Sequence, residues 1–220
     1  MFIAITYLAR LIMYVLSFVA LAKAFKVYKV SYPINSFIWI LILSVFDNLL
    51  YVIVVIIMRN IPLFLKIVPL TQGLYQLVEY CIILKFCGNI IKSKYYSIII
   101  NVIILIVSVL FIFFQFYNVN FFEKNYLILT SLEIIIVNIS ASKILIGEIN
   151  DTILNYSRSV IILIRGLFIF INFTAPYYII SSYLGNDKNN LTNMLNIIND
   201  LGYIIFFIAL YKSYKCYQIN

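Results

Sequence analysis

The chain has 220 residues, of which 65% are apolar and 11% charged, with a net charge of +8 and a mean hydropathy of +1.05. Soluble domains carry about 45–50% apolar and about 25% charged residues, and a chain of this length would still have to dress a water-facing surface. The composition excludes a secreted disulfide scaffold, a nucleic-acid-binding domain and a sizeable soluble catalytic domain, and it points to a polytopic helical membrane protein.

Seven segments are apolar over the roughly 20 residues that a transmembrane helix needs. In chain order the predicted spans lie near residues 2–22, 34–58, 62–86, 96–117, 126–146, 160–184 and 193–211. Short polar stretches separate them, none longer than about a dozen residues, so a single seven-helix domain over residues 1–220 with no soluble domain is expected. Barrel strands alternate in polarity over about 9–11 residues. The run YYSIIINVIILIVSVLFIFFQFY is apolar in both registers and reads as helix.

Basic residues orient the bundle. Lys23, Lys26, Lys29, Lys85, Lys92, Lys94, Lys143, Arg158, Lys212 and Lys215 fall on one side, against Arg59, Lys66, Lys124 and Lys188 on the other. The positive-inside rule then places the N-terminus outside and the C-terminus in the cytoplasm, consistent with an odd number of spans. The first segment lacks a basic stretch ahead of its apolar run, so it reads as a helix of the bundle and not as a cleavable signal peptide.

Ionisable residues within spans are costly and face the bundle interior. The first helix carries Arg10 and the second Asp47 and Asn48. The third carries Gln76 and Glu79 in a stripe with Gln72. The fifth carries Glu133 and the sixth Arg165, and the seventh carries Asn196, Asp200 and Tyr203 in a stripe with Asn193. Together these form the candidate buried polar network. The fourth helix has only Asn101, Ser108 and Gln115, which suits a peripheral position facing lipid or a partner. By depth, Glu79 and Arg165 fall in the inner half and are expected to pair, while Arg10 has Glu133, Asp200 and Asp47 as alternative partners. Four carboxylates face two arginines, so the excess acids either stay protonated or hold a cation. Pro69 and Pro176 are expected to kink the third and sixth helices.

Several chemistries lack their reagents. With no histidine there is no His-ligated zinc or haem, no Ser-His-Asp triad and no Cys-His pair. A retinal Schiff base needs a lysine deep in the seventh helix, where Lys212 and Lys215 stand only at the end. Asn199-Asp200-Leu201-Gly202-Tyr203 is similar to the Asn-Pro-x-x-Tyr element of class A G-protein-coupled receptors but lacks its proline, and no Asp-Arg-Tyr closes the third helix. Cys81, Cys87 and Cys216 read as free thiols. No cofactor, no metal and no enzymatic activity are expected.

The stretches SLEIIIVNISASKILIGE, SRSVIILIRGLFIFINFTAPYYIISSYL and NMLNIINDLGYIIFFIALYKSYK share a texture: Ser-Leu-Glu opening the fifth helix, an Ile/Asn-rich seventh helix and a Tyr-Lys-x-Tyr-Lys ending. In this, residues 127–215 resemble small uncharacterised seven-helix membrane proteins of AT-rich bacteria that tend to be encoded beside sensor kinases. The resemblance implies a sensory or accessory module of the bacterial inner membrane. Its partners would be membrane lipids and another membrane protein, a sensor kinase or a larger complex, and it assigns no functional residue. The buried acids keep a second expectation open, a small proton- or cation-coupled transporter or channel, and a third, a lipid-modifying enzyme built on paired acids.

Overall fold

The computed structural model describes residues 2–27, 34–53, 62–91, 93–117, 121–149, 158–184 and 190–217. These residues are helical throughout apart from short caps: α1 (Phe2–Val27), α2 (Phe37–Val52), α3 (Pro62–Ile91), α4 (Lys94–Phe116), α5 (Phe121–Ile149), α6 (Arg158–Leu184) and α7 (Asn190–Tyr217). A helix satisfies every backbone N–H and C=O within its own segment, the condition an apolar solvent imposes. Five of these helices are long and apolar enough to cross a membrane: Ile5–Val27 in α1, Leu70–Ile91 in α3, Lys94–Phe114 in α4, Arg158–Tyr177 in α6 and Leu191–Cys216 in α7. That is consistent with a multi-pass membrane protein.

Several helices run past the ends that hydropathy suggests. α1 continues through Lys23 and Lys26 to Val27, and α7 through Lys212 and Lys215 to Tyr217. Hydropathy stops at the first lysine, whereas lysine is a good helix former whose stem can lie along apolar surface. α2 starts later than expected, because Ile34–Ser36 forms a 3-10 turn ahead of it. At the start of α4, the Ser93 hydroxyl accepts a hydrogen bond from the Tyr96 N–H at 3.5 Å, the position of an N-cap contact. α3 and α6 each continue as one helix through Pro69 and Pro176. The end expected for the second span, residues 54–58, and the basic loop positions Lys29, Arg59, Lys92 and Lys188 lie outside the described residues.

Contacts divide the chain into two compact units, Met1–Asn35 with Tyr126–Asn220, and Ser36–Asn125. In the first unit α7 packs against both α6 and α1. The α6–α7 seam is close because small residues meet there. A Cβ on Gly166 would collide with the Ala209 Cβ, and one on Gly202 would lie 2.8 Å from the Thr174 Cγ2. Ser213 donates to the Ser159 carbonyl at 2.9 Å, and Phe170 packs on Tyr203 and Phe206 with ring centres 4.8 Å away in both cases. Farther along α7, the buried Tyr214 hydroxyl donates to the Ile34 carbonyl at 3.0 Å, tying the helix to the 3-10 turn.

In the second unit α3 packs against α2 and α4. Phe37 meets Phe86 edge to face at 5.0 Å, and Gly88 lets α3 approach Ile100 of α4. α4 buries Ile100, Val107 and Phe111 and exposes Ile98, Ile99, Val102, Leu105, Ile106 and Val109. One narrow buried stripe on an otherwise exposed apolar helix is the mark of a peripheral helix.

Candidate functional site

α1 and α7 of the first unit, with α6 beside them, build a polar site. Asp200 projects from α7 at a position where only 3% of the residue is exposed. Arg10 reaches it from α1, with Nε 3.8 Å from Oδ2. That is ion-pair distance but beyond hydrogen-bond length. Asp200 Oδ2 is buried with no hydrogen-bond partner, and so is the neighbouring Asn199 Oδ1. The Tyr177 side chain, one residue beyond Pro176 on α6, lies within electrostatic range of both Arg10 and Asp200. Two helices thus bring a carboxylate and a guanidinium together, with the Tyr177 phenol of α6 close enough to feel both charges.

Helical spacing explains the convergence. Asn196, Asp200 and Tyr203 follow one another at three- and four-residue steps and occupy one face of α7. Asn196 is half-buried, and Tyr203 is buried against Phe170. Gly202 brings α6 in beside this face, where the Thr174 hydroxyl donates to the Phe170 carbonyl at 3.1 Å. Arg10 is anchored at Asp200 while remaining one-third exposed, so its charge stays near the rim of the unit. Of the three carboxylates open to Arg10 in the sequence, Asp200 is the partner observed.

The other candidates are distributed. In the second unit, Asp47 of α2 accepts a hydrogen bond from the Thr71 hydroxyl of α3 at 3.2 Å. The Asn48 amide donates to Ser44 one turn earlier at 3.5 Å. Glu79 is buried, with the Tyr75 hydroxyl donating to Oε1 at 3.4 Å, and Gln76, three residues before it, is half-buried. In the first unit Glu133 of α5 is half-buried and Arg165 of α6 is exposed. Gln72 is exposed, which corrects its place in the buried stripe of α3. Thr71 turns to Asp47 instead, and the next residue is rotated about 100° round the helix.

No family model, curated protein or solved structure matches the chain. The site is therefore read from its own geometry. Among the described residues, no three His, Cys, Asp or Glu side chains converge as metal ligands. What Arg10, Asp200 and Tyr177 can do is hold opposite charges across two helices and respond when the helices shift. The sequence does not single out Tyr177, Thr71 or Tyr75, hydroxyls near buried or half-buried acids. For Tyr75 and Tyr177 the signal is a Tyr one helical turn from a carboxylate on the same helix or next to a helix proline, faint in a chain with nineteen tyrosines scattered over every segment; Thr71, whose acid lies on another helix, has no such signal.

Proposed function

We propose that this protein is a non-enzymatic, seven-span module of a bacterial cytoplasmic membrane, with its N-terminus outside, acting as a sensory or accessory subunit through a membrane partner such as a sensor kinase. The observation that carries the reading is the Arg10–Asp200 contact at 3.8 Å between α1 and α7, with an acid oxygen left short of a hydrogen bond. A partly exposed ion pair that is not closed into a hydrogen bond can tighten or open at small cost when its helices shift. A partner or ligand that favours one arrangement shifts the population between them. The basic residues at the ends of α1 and α7, Lys26 and Lys215, support the orientation.

The test joins assembly to the pair. The wild-type protein purified in mild detergent should bring a specific membrane kinase or complex with it, and Asp200→Asn should change the kinase output without loss of the folded protein. A protein that purifies alone, and whose deletion leaves signalling untouched, defeats the proposal.

A second reading, a proton- or cation-coupled transporter or channel, is favoured by the adjacent buried acceptors Asn199 Oδ1 and Asp200 Oδ2, neither with a hydrogen-bond donor. A buried carboxylate oxygen without a donor, such as Asp200 Oδ2, is a place where a proton or a cation would be taken up. That reading requires pH- or sodium-dependent flux in proteoliposomes that is lost in Asp200→Asn or Asp47→Asn.

A further inference from the structure

α1 is held to the first unit unevenly along its length. From Ser17 onward it buries Ser17, Ala20, Ala24 and Val27, mostly small side chains that let a helix sit close to its neighbour. Over residues 5–16 only Ala9 is buried, while Tyr7, Leu8, Leu11, Ile12 and Val15 are exposed. Lipid tails are as apolar as these side chains, so apolar contact adds little to holding that half of the helix. Its ionic contact with α7 is Arg10 at Asp200, 3.8 Å apart. The pair thus acts where α1 is least packed.

Asp200 Oδ2 is buried with no hydrogen-bond partner. Of the titratable and charged groups around it, α7 itself contributes Tyr203, one turn on, with its ring against Phe170. From α1 come Arg10 and, one turn along the same helix, Tyr14; from α6 comes Tyr177. The other cations of these helices stand farther off. Arg165 is next to the Gly166–Ala209 contact, nine residues from Asp200 along α7 or about 14 Å, and Lys23 is thirteen residues from Arg10 or about 20 Å. Arg10 is therefore the cation that Asp200 faces. Ionised, the acid has one attraction and no donor to Oδ2 to set against the cost of its burial. A proton from water removes that cost: an O–H bond forms at Oδ2 and the carboxyl becomes neutral. Arg10 keeps its own proton, so the pair passes from zero net charge to a single positive charge. That charge has somewhere to go, because Arg10 is one-third exposed and its stem is long.

We infer that Asp200 Oδ2 is a proton-binding site, and that its occupation frees Arg10 and lets the N-terminal half of α1 swing away from α7 about the packed residues 17–27. Acid opens the contact and base closes it, since the ionic hold is present while Asp200 is ionised and is lost as pH falls. The proton is then the signal that the sensory module receives. That use of the proton rests on the sensory reading; the proton-linked movement of α1 does not.

The test measures distances between spin labels on the purified full-length protein in lipid nanodiscs, with no partner added. In a Cys81→Ala, Cys87→Ala, Cys216→Ala background, labels at Leu8→Cys and Met194→Cys report the N-terminal halves of α1 and α7. Labels at Phe25→Cys and Lys212→Cys report the other ends, and all four positions are exposed. From about pH 8 to about pH 4, a range that covers ordinary and buried carboxyls, the first distance should lengthen by about 2 Å or more, the scale of helix shifts in switching proteins. The second should stay constant. Asp200→Asn should hold the long distance at every pH. If that variant does not fold, Arg10→Gln, changed at the more exposed partner, takes its place and should abolish the pH response. A first distance that ignores pH in the otherwise unaltered protein overturns the inference, as does a response that survives either substitution. Equal lengthening of both distances also overturns it, by showing that the whole unit loosens. Movement of α1 with no partner captured from membranes would refute the sensory reading and leave the proton site standing; a captured partner with α1 unmoved by pH would do the reverse.

Discussion

Asp200 and Arg10 are buried to different degrees, 4% against 33% side-chain exposure, and that asymmetry has consequences. Arg10→Met strands a carboxylate in the interior, whereas Asp200→Asn leaves a guanidinium whose long stem can carry it toward headgroups or water. The first substitution should therefore destabilise more than the second. Both losses should stay below the ~3–5 kcal/mol typical of breaking a fully buried pair, since Arg10 already keeps part of its solvation. The double variant should recover part of the Arg10→Met loss in detergent unfolding curves. Equal single losses would show that the contact carries no such asymmetry. Glu79 and Arg165, expected from depth to pair, belong to different units. Within its own unit Glu79 accepts from Tyr75, one turn away on α3, and Glu79→Gln with Tyr75→Phe should couple by more than about 0.5 kcal/mol. Strictly additive losses would show that this hydrogen bond carries no energy.

At the scale of elements, α6 and α7 are held by close approach. Bundles in lipid gain little from apolar burial, because lipid tails are as apolar as leucine, so they rely on small residues that let backbones meet. Gly166 against Ala209 is such a meeting, and neither partner has a flexible end that could move aside. Gly166→Ala should force the helices apart and lower stability by roughly 1–3 kcal/mol, the usual range for overpacking. Adding Ala209→Gly should restore most of it. If the melting temperature of Gly166→Ala matches wild type, the seam is looser than its geometry indicates. This level was only partly legible in the sequence. Apolar runs locate α1, α3, α4, α6 and α7, because hydropathy reports the solvent. The sequence also marks α4 as peripheral, through its sparse polar residues. It does not reveal which face of α6 meets α7, since Gly166 and Gly202 look like any other small residues until the rotation of each helix is known. For the same reason the acids Glu79 and Asp200 can be recognised as buried and Asp47 as partly so, while the hydroxyls Thr71 and Tyr75 that donate to Asp47 and Glu79 cannot.

For the whole molecule, the decisive quantity is the number of spans, and it turns on α2 and α5. Among the described residues α2 covers 16, about 24 Å against a hydrocarbon core of about 30 Å, and the expected end of its span, residues 54–58, lies outside them. α5 is a continuous helix of 29 residues but carries five charged residues, Glu123, Lys124, Glu133, Lys143 and Glu148. If both cross, the termini lie on opposite faces. If either one stays at the interface, the count becomes even and the termini share a face. Cys216, near the end of α7 and partly exposed, provides the reporter. In a Cys81→Ala, Cys87→Ala background, an impermeant maleimide should label Cys216 in inverted membrane vesicles and not in intact cells. With Cys216 also replaced by Ala, a cysteine introduced as Phe2→Cys should label from the outside. Labelling of both positions from one side would remove a span, and the charged α5 would be the helix to reassign first. Cys216 labelling in intact cells with Phe2→Cys protected would keep seven spans but invert them. The basic residues Lys23, Lys26, Lys212 and Lys215 would then face outward, against the charge bias that orients helices during insertion.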